Sequence, residues 1–257
     1  MIWTIILGFF FNILLFAESN IYQKKPTSGY FFAEPSTQEM QDEDFMNPAF
    51  IWVEKGKNLW KKKEITKNNP QSCYTCHGEV KNMKSISLKY PKISSVHKKL
   101  INLEQQINIC REKNMGLKKF EPESQSLLSL SALISLQSRG LEQNMIINES
   151  NKRWFELGKK LYFKKIGQMG LACNQCHDDR VGLNLRAEKV SQGQINGFPS
   201  YLLRWSKLVS VHKRIEYCNE QARAIPFKIF SNEYNALQLY LMWRGNGLKV
   251  EAPAVRK

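Results

Sequence analysis

The chain has 257 residues, a formal net charge of +15 and a pI near 9.5. That length allows one large domain or two smaller ones, and the basic surplus calls for an anionic partner or a lysine-rich solvated surface. No zinc finger, RNA-recognition signature or aromatic-plus-basic strand pattern accompanies the charge, so nucleic acid is not the expected partner.

Residues 2–17 form an apolar run broken only by Thr4 and Asn12. The run has the length of a signal-peptide core and is short for a membrane span. Residues 1–17 are therefore expected to be a signal peptide, with an uncleaved anchor as the competing reading, since no Lys or Arg precedes the run. No long apolar segment follows, so the mature protein is expected to be periplasmic with no membrane association. Residues 18–45, with "PTSG", "EPSTQ" and "QDED", read as an irregular lead-in.

The remainder is a tandem duplication. "WVEKGKNLWKKK" (52–63) matches "WFELGKKLYFKK" (154–165), and each has apolar residues near helical spacing. "CYTCHG" begins at Cys73 and "CNQCHD" at Cys173. Pro91 precedes Cys110 by 19 residues, and Pro199 precedes Cys218 by the same 19. Leu100 and Leu208 each lie ten before those cysteines. "SQSLLSLSALISLQSRG" and "NEYNALQLYLMWRGNG" read as closing helices with a terminal Gly. "LQSRG" and "LMWRG" align Arg139 with Arg244. Strand signals are scarce, and the polar stretch 139–151 is the expected linker. The expected architecture is mainly α, with two tandem domains at 46–145 and 146–257.

Two C-x-x-C-H motifs are the attachment signature of c-type haem. Cys73 and Cys76, or Cys173 and Cys176, can add to the two vinyl groups from one face of a turn, and His77 or His177 then reaches the iron. A zinc site would need further closely spaced Cys or His pairs. A redox C-x-x-C would not require His directly after it in both copies. Two covalent haems are expected.

Six cysteines minus four attachments leaves Cys110 and Cys218, one per copy at equivalent positions. The spare histidines, His97 and His212, are not equivalent, and Met83, Met115, Met169 and Met242 form no matched pair. The duplication thus favours a cysteine thiolate as sixth ligand of both irons, with a Cys110–Cys218 disulfide as the alternative. Arg214 precedes Cys218 by one helical turn, where the first copy has Gln106. A guanidinium beside a thiolate favours its charged, nucleophilic form. That asymmetry assigns the chemistry to the second copy. Arg244 is a weaker candidate, suited to substrate or to haem propionates.

At these residues the chain resembles the SoxA family of dihaem cytochromes c from sulfur oxidation, from about Asn47 to its C-terminus. The resemblance rests on both C-x-x-C-H motifs, the cysteine of "INICREK", and "RIEYCNEQAR". It implies two cytochrome c-like domains, the first haem ligated by His77 and Cys110, the second by His177 and Cys218. It further implies that Cys218 is the catalytic residue, carried as a persulfide, and that Arg214 binds substrate. The implied reaction couples thiosulfate oxidatively to a cysteine of the carrier SoxYZ and passes two electrons to cytochrome c. A separate monohaem SoxX partner is implied as well. A dihaem thiosulfate dehydrogenase and a non-catalytic electron-transfer subunit are the rival readings.

Overall fold

The computed structural model describes residues 25–65 and 70–257; the expected signal segment lies outside them. The lead-in is not irregular throughout, because Pro35–Asp42 forms a helix, α1. Pro35 suits a first turn whose N–H groups have no intrahelical acceptor. Nearby, Gln41 Oε1 accepts from Val255 N at 3.2 Å, and Asn47 Nδ2 donates to Pro253 O at 3.0 Å. These polar ties to the chain terminus leave no apolar periodicity for the sequence to display.

The two copies share their main parts in the same order, and the second adds a small hairpin after its C-x-x-C-H turn. The first comprises α2 (Phe50–Lys61), α3 (Cys73–His77), the strands β1 (Lys92–Ile93) and β2 (Leu100–Ile101), α4 (Leu103–Ile109) and α5 (Gln125–Leu136). The second comprises α6 (Lys152–Phe163), α7 (Cys173–His177), a small hairpin β3 (Asn184–Leu185) and β4 (Glu188–Lys189), then β5 (Ser200–Leu202), β6 (Lys207–Val209), α8 (Val211–Gln221) and α9 (Asn232–Arg244). β7 (Ala254–Arg256) adds in parallel to β5. The leading and closing helices cross at a glycine in both copies. A Cβ on Gly56 would lie 2.4 Å from Ser129 O, and one on Gly158 would lie 2.0 Å from Ala236 O. Only glycine permits so close a backbone approach. The crossings also set the register of the closing helices. Arg139 lies ten residues beyond its crossing and Arg244 eight, so the two arginines aligned in sequence are not equivalent in space.

The hairpins β1–β2 and β5–β6 are antiparallel and pair Ile93 with Leu100 and Tyr201 with Leu208. Each hairpin sends part of its apolar face into the other copy, while Ile101 of β2 stays in the first core. Leu208 belongs to the core of the first copy, with Leu127, Leu130 and Leu133, and Tyr201 packs against it. Leu100 belongs to the core of the second, with Leu237, Leu239 and Leu241, and Ile93 packs there. Trp52 and Tyr201 meet edge to face at 5.6 Å. Asn235 Nδ2 donates to Leu100 O at 3.1 Å, and Glu123 Oε2 accepts from Ser210 N at 3.2 Å. The stretch 139–151 is no free linker either, since Gln143 N donates to Leu248 O and Val250 N to Leu141 O. Among the described residues no helix is long and apolar enough to cross a membrane.

The exchange places a buried titratable residue at the start of each following helix. Glu104 and His212 are the second residues of α4 and α8, and both are buried. Ser131 Oγ donates to Glu104 Oε1 at 2.7 Å. Phe230 N donates to His212 Nδ1 at 3.2 Å, which leaves the ring proton on Nε2. The His212 ring packs against Phe230 and Tyr234, and the Gln238 side chain lies beside it. Burial pushes His212 down to about 3 and the Glu104 carboxyl above its ordinary range.

Two outcomes follow for stability. Leu208→Ala is expected to cost about 2–5 kcal/mol while unfolding stays a single transition in calorimetry. A separate melting of the two copies would contradict the exchange. In the unfolded chain His212 titrates near 6.5, whereas in the fold its ring stays neutral down to about 3. Its contribution is therefore complete above about pH 6.5 and is lost as pH falls toward 3. Glu104 has the opposite sign: its contribution is complete below the ordinary carboxylate pKa and is lost as pH rises above it. Urea midpoints should fall on acidification below about pH 6.5, and His212→Gln should flatten that limb.

Candidate functional site

Each C-x-x-C-H motif forms a single helical turn. In α3 the cap is Ser72, whose Oγ accepts from Thr75 N at 3.0 Å. In α7 the Gln175 side chain reaches back and accepts from Ala172 N at 2.8 Å. Cys73 and Cys76, like Cys173 and Cys176, are three apart and share a face of the turn. One aromatic residue from each leading helix braces the residue after the histidine. Trp60 Nε1 donates to Gly78 O at 2.9 Å, with its ring 5.8 Å from that of His77. Tyr162 Oη donates to Asp178 Oδ1 at 2.9 Å.

His177 is the better fixed of the two histidines. Its Nδ1 lies 2.7 Å from Ser191 O, which places the proton there and leaves Nε2 free as a ligand atom. Gly193 presses on the ring, where a Cβ would lie 2.8 Å from His177 Cγ. Arg244 secures the same side. It is ion-paired with Asp178, donates to Gln192 O at 3.1 Å and lies 4.5 Å over the Tyr162 ring. Its guanidinium is thus tied to Asp178 and Gln192 beside the motif histidine, whereas Arg214 is the arginine that contacts the Cys218 thiol. Arg139 instead pairs with Asp44 at 2.6 Å.

The distal thiols sit on the helices that follow the exchanged hairpins. Asn102 and Ser210 cap these helices through Gln105 N and Lys213 N, at 2.9 and 3.1 Å. Cys110 ends α4 and opens a π turn, Cys110–Asn114. Cys218 lies in the last turns of α8 and is exposed. Both are free thiols, and each is electrostatically coupled to the first cysteine of its own motif, so the disulfide alternative is not formed. Of the spare histidines, His212 is in the interface, and His97 lies in the β1–β2 turn with its N–H on Ser94 Oγ. Met242 is in the second core.

The two thiols differ in their neighbours. Gln106 Nε2 and Asn114 Nδ2 approach Cys110 Sγ at 3.5 and 3.9 Å, and both are neutral amides. At the position equivalent to Gln106, Arg214 donates to Cys218 Sγ at 3.3 Å. Desolvation by the packed side chains around it pushes the Cys218 thiol up although the residue has a face open to solvent. Arg214, then His177 and finally Arg204 outweigh this and bring the thiol down to about 7. Burial alone dominates at Cys73 and Cys173, which rise to about 11 and 12. Arg204 was not legible as a site residue. It lies 14 positions before Cys218 and is brought near by the β5–β6 turn, where it pairs with Glu188.

The donor set suits a c-type haem. In the second copy an imidazole nitrogen with a fixed tautomer faces a thiol, beside two cysteines on one turn. The first copy repeats the attachment turn with His77 and places Cys110 near Cys73.

Residues 55–142 match the family model described as SoxA/TsdA, cytochrome c domain. The L-cysteine S-thiosulfotransferase subunit SoxA of Pseudaminobacter salicylatoxidans is 39% identical over 232 residues, covering 90% of this chain and 80% of the relative. That of Paracoccus pantotrophus is 38% identical over 229 residues, covering 89% and 78%. The crystal structure of SoxXA from P. pantotrophus is similar with a TM-score of 0.86 at 37% identity, covering 90% of this chain and 87% of that one. The fold is accordingly a mainly helical cytochrome c fold, and the chain belongs to the SoxA family of L-cysteine S-thiosulfotransferase subunits.

Proposed function

We propose that the protein couples thiosulfate oxidatively to a cysteine thiol of the SoxYZ carrier, with two electrons passing to cytochrome c. The observation that carries this reading is the 3.3 Å contact of Arg214 with Cys218, at a position where Cys110 has only a neutral glutamine. Cys73 and Cys76, with His77 and Cys110, would hold one c-type haem, and Cys173 and Cys176, with His177 and Cys218, would hold a second. When bound, the haems supply the one-electron acceptors that sulfur–sulfur bond formation needs.

The side chains account for the rest. Thiosulfate is a dianion, and Arg214 offers a fork of N–H donors beside the thiol. The Cys218 thiolate and the outer sulfur of thiosulfate form a sulfur–sulfur bond, releasing two electrons and leaving the sulfonate on the bound group. The carrier's thiolate then attacks the outer sulfur, takes the thiosulfate group and returns Cys218 as thiolate. If Cys218 carries a persulfide, as the family resemblance implies, its terminal sulfur performs the same steps. A separately encoded monohaem SoxX is the proposed partner subunit, supported by the similarity to a SoxXA complex. The proposed compartment is the periplasm.

Cys218→Ala is expected to retain both covalent haems by intact mass and to abolish coupling to the carrier. Retained coupling would remove the thiol from the reaction. Arg214→Gln recreates the environment of Cys110. Loss of a charge-assisted hydrogen bond should lower kcat/KM for thiosulfate about tenfold to a hundredfold with unchanged haem content. Product analysis with wild-type protein completes the test: tetrathionate formed without carrier would support the dehydrogenase reading instead.

A further inference from the structure

α8 carries two adjacent faces beside the thiol. Arg214 and Cys218 share one; Lys213, Tyr217 and Glu220, spaced four and three apart, share the next. Trp205 and Lys207, from the turn and strand β6 of the exchanged hairpin, stand against this second face. The Trp205 ring meets Tyr217 edge-on at 4.8 Å, and Lys207 Nζ lies 6.0 Å over Trp205. The five side chains enclose an open groove of about 400 Å³. Arg214 joins the groove to the thiol: its guanidinium lies 5.4 Å over the Tyr217 ring while it donates to Cys218 Sγ.

We propose that this groove is the docking surface for the thiol-bearing carrier protein and receives a carboxylate-bearing segment beside the acceptor cysteine. The inference rests on the coupling reaction above and adds where its protein substrate binds. Charge complementarity defines the occupant. Lys207 and Arg214 pair with no carboxylate among the described residues, whereas Lys213 shares its charge with Glu216. Trp205 and Tyr217 supply rigid aromatic area of the kind that anchors interfaces, and the flanking cations steer an acidic partner. Glu216 and Glu220 balance Lys213 at one end of the groove, so the uncompensated charge is that of Lys207 and Arg214. Aromatic walls with two such cations suit a partner that must leave after each turnover. A permanent subunit contact favours a broader apolar face. Thiosulfate itself has no need of a groove this long, because Arg214 already reaches it at the thiol.

The test uses the holoprotein in complex with its partner subunit, the SoxYZ carrier as variable substrate, and the variants Trp205→Ala and Lys207→Glu. Both are expected to raise KM for the carrier about tenfold, the size of one lost anchor or one reversed steering charge, with unchanged haem spectra. Lys159→Glu, on α6, serves as a surface-charge control and should leave that KM unaltered. An unchanged carrier KM in both groove variants overturns the inference. So does weakened binding of the partner subunit without a change in carrier KM, because the groove then belongs to the subunit interface. Wild-type protein that failed to modify the carrier at all would instead refute the coupling reaction.

Discussion

The constraint on which the molecule depends is the exchange of two leucines. Leu100 and Leu208 occupy equivalent places in the repeat, yet each closes the core of the opposite copy. Each is among the most buried side chains in the protein, and removal of such a residue from water contributes about 1.5–3 kcal/mol. The exchange does more than stabilise. Each hairpin runs directly into a capped helix, so wherever the hairpin is pinned, the distal cysteine helix is pinned too. The position of Cys218 opposite His177 is inherited from packing in the other half of the molecule.

On this shared frame the two halves differ in charge. Trp60 in one copy becomes Tyr162 in the other, Gly78 becomes Asp178, and Gln106 becomes Arg214. The first half braces its histidine through a backbone carbonyl and surrounds its thiol with amides. The second braces it through a carboxylate held by Arg244 and sets a guanidinium against its thiol. Duplication preserved the histidine and the two kinds of cysteine in each half, and substitution changed the charge around them. An oxidising step with an anionic substrate belongs where the cations are.

The residues of the candidate site were legible because they are types with few alternative uses. Four cysteines in two C-x-x-C-H strings, two spare cysteines in register and an arginine one turn before the second required no tertiary information. What the sequence concealed depends on contacts between distant segments. The hairpin exchange is invisible because Leu100 and Leu208 look identical whichever core they enter. Arg204 is near the thiol only because a turn folds back. Arg139 and Arg244 align by spelling, but a two-residue difference in helix register sends one to Asp44 and the other to Asp178. Helix α1 lacks an amphipathic pattern because its ties to the chain terminus are polar.

The exchanged hairpins also bear on how the protein comes into being. A chain emerges from its N-terminus, so the first C-x-x-C-H is available long before residues 207–209 exist to fill the core above it. The core of the first half therefore lacks Leu208 until the second half has been made. Maturation of the two motifs thus begins in sequence, yet each core is completed only by a residue of the other half.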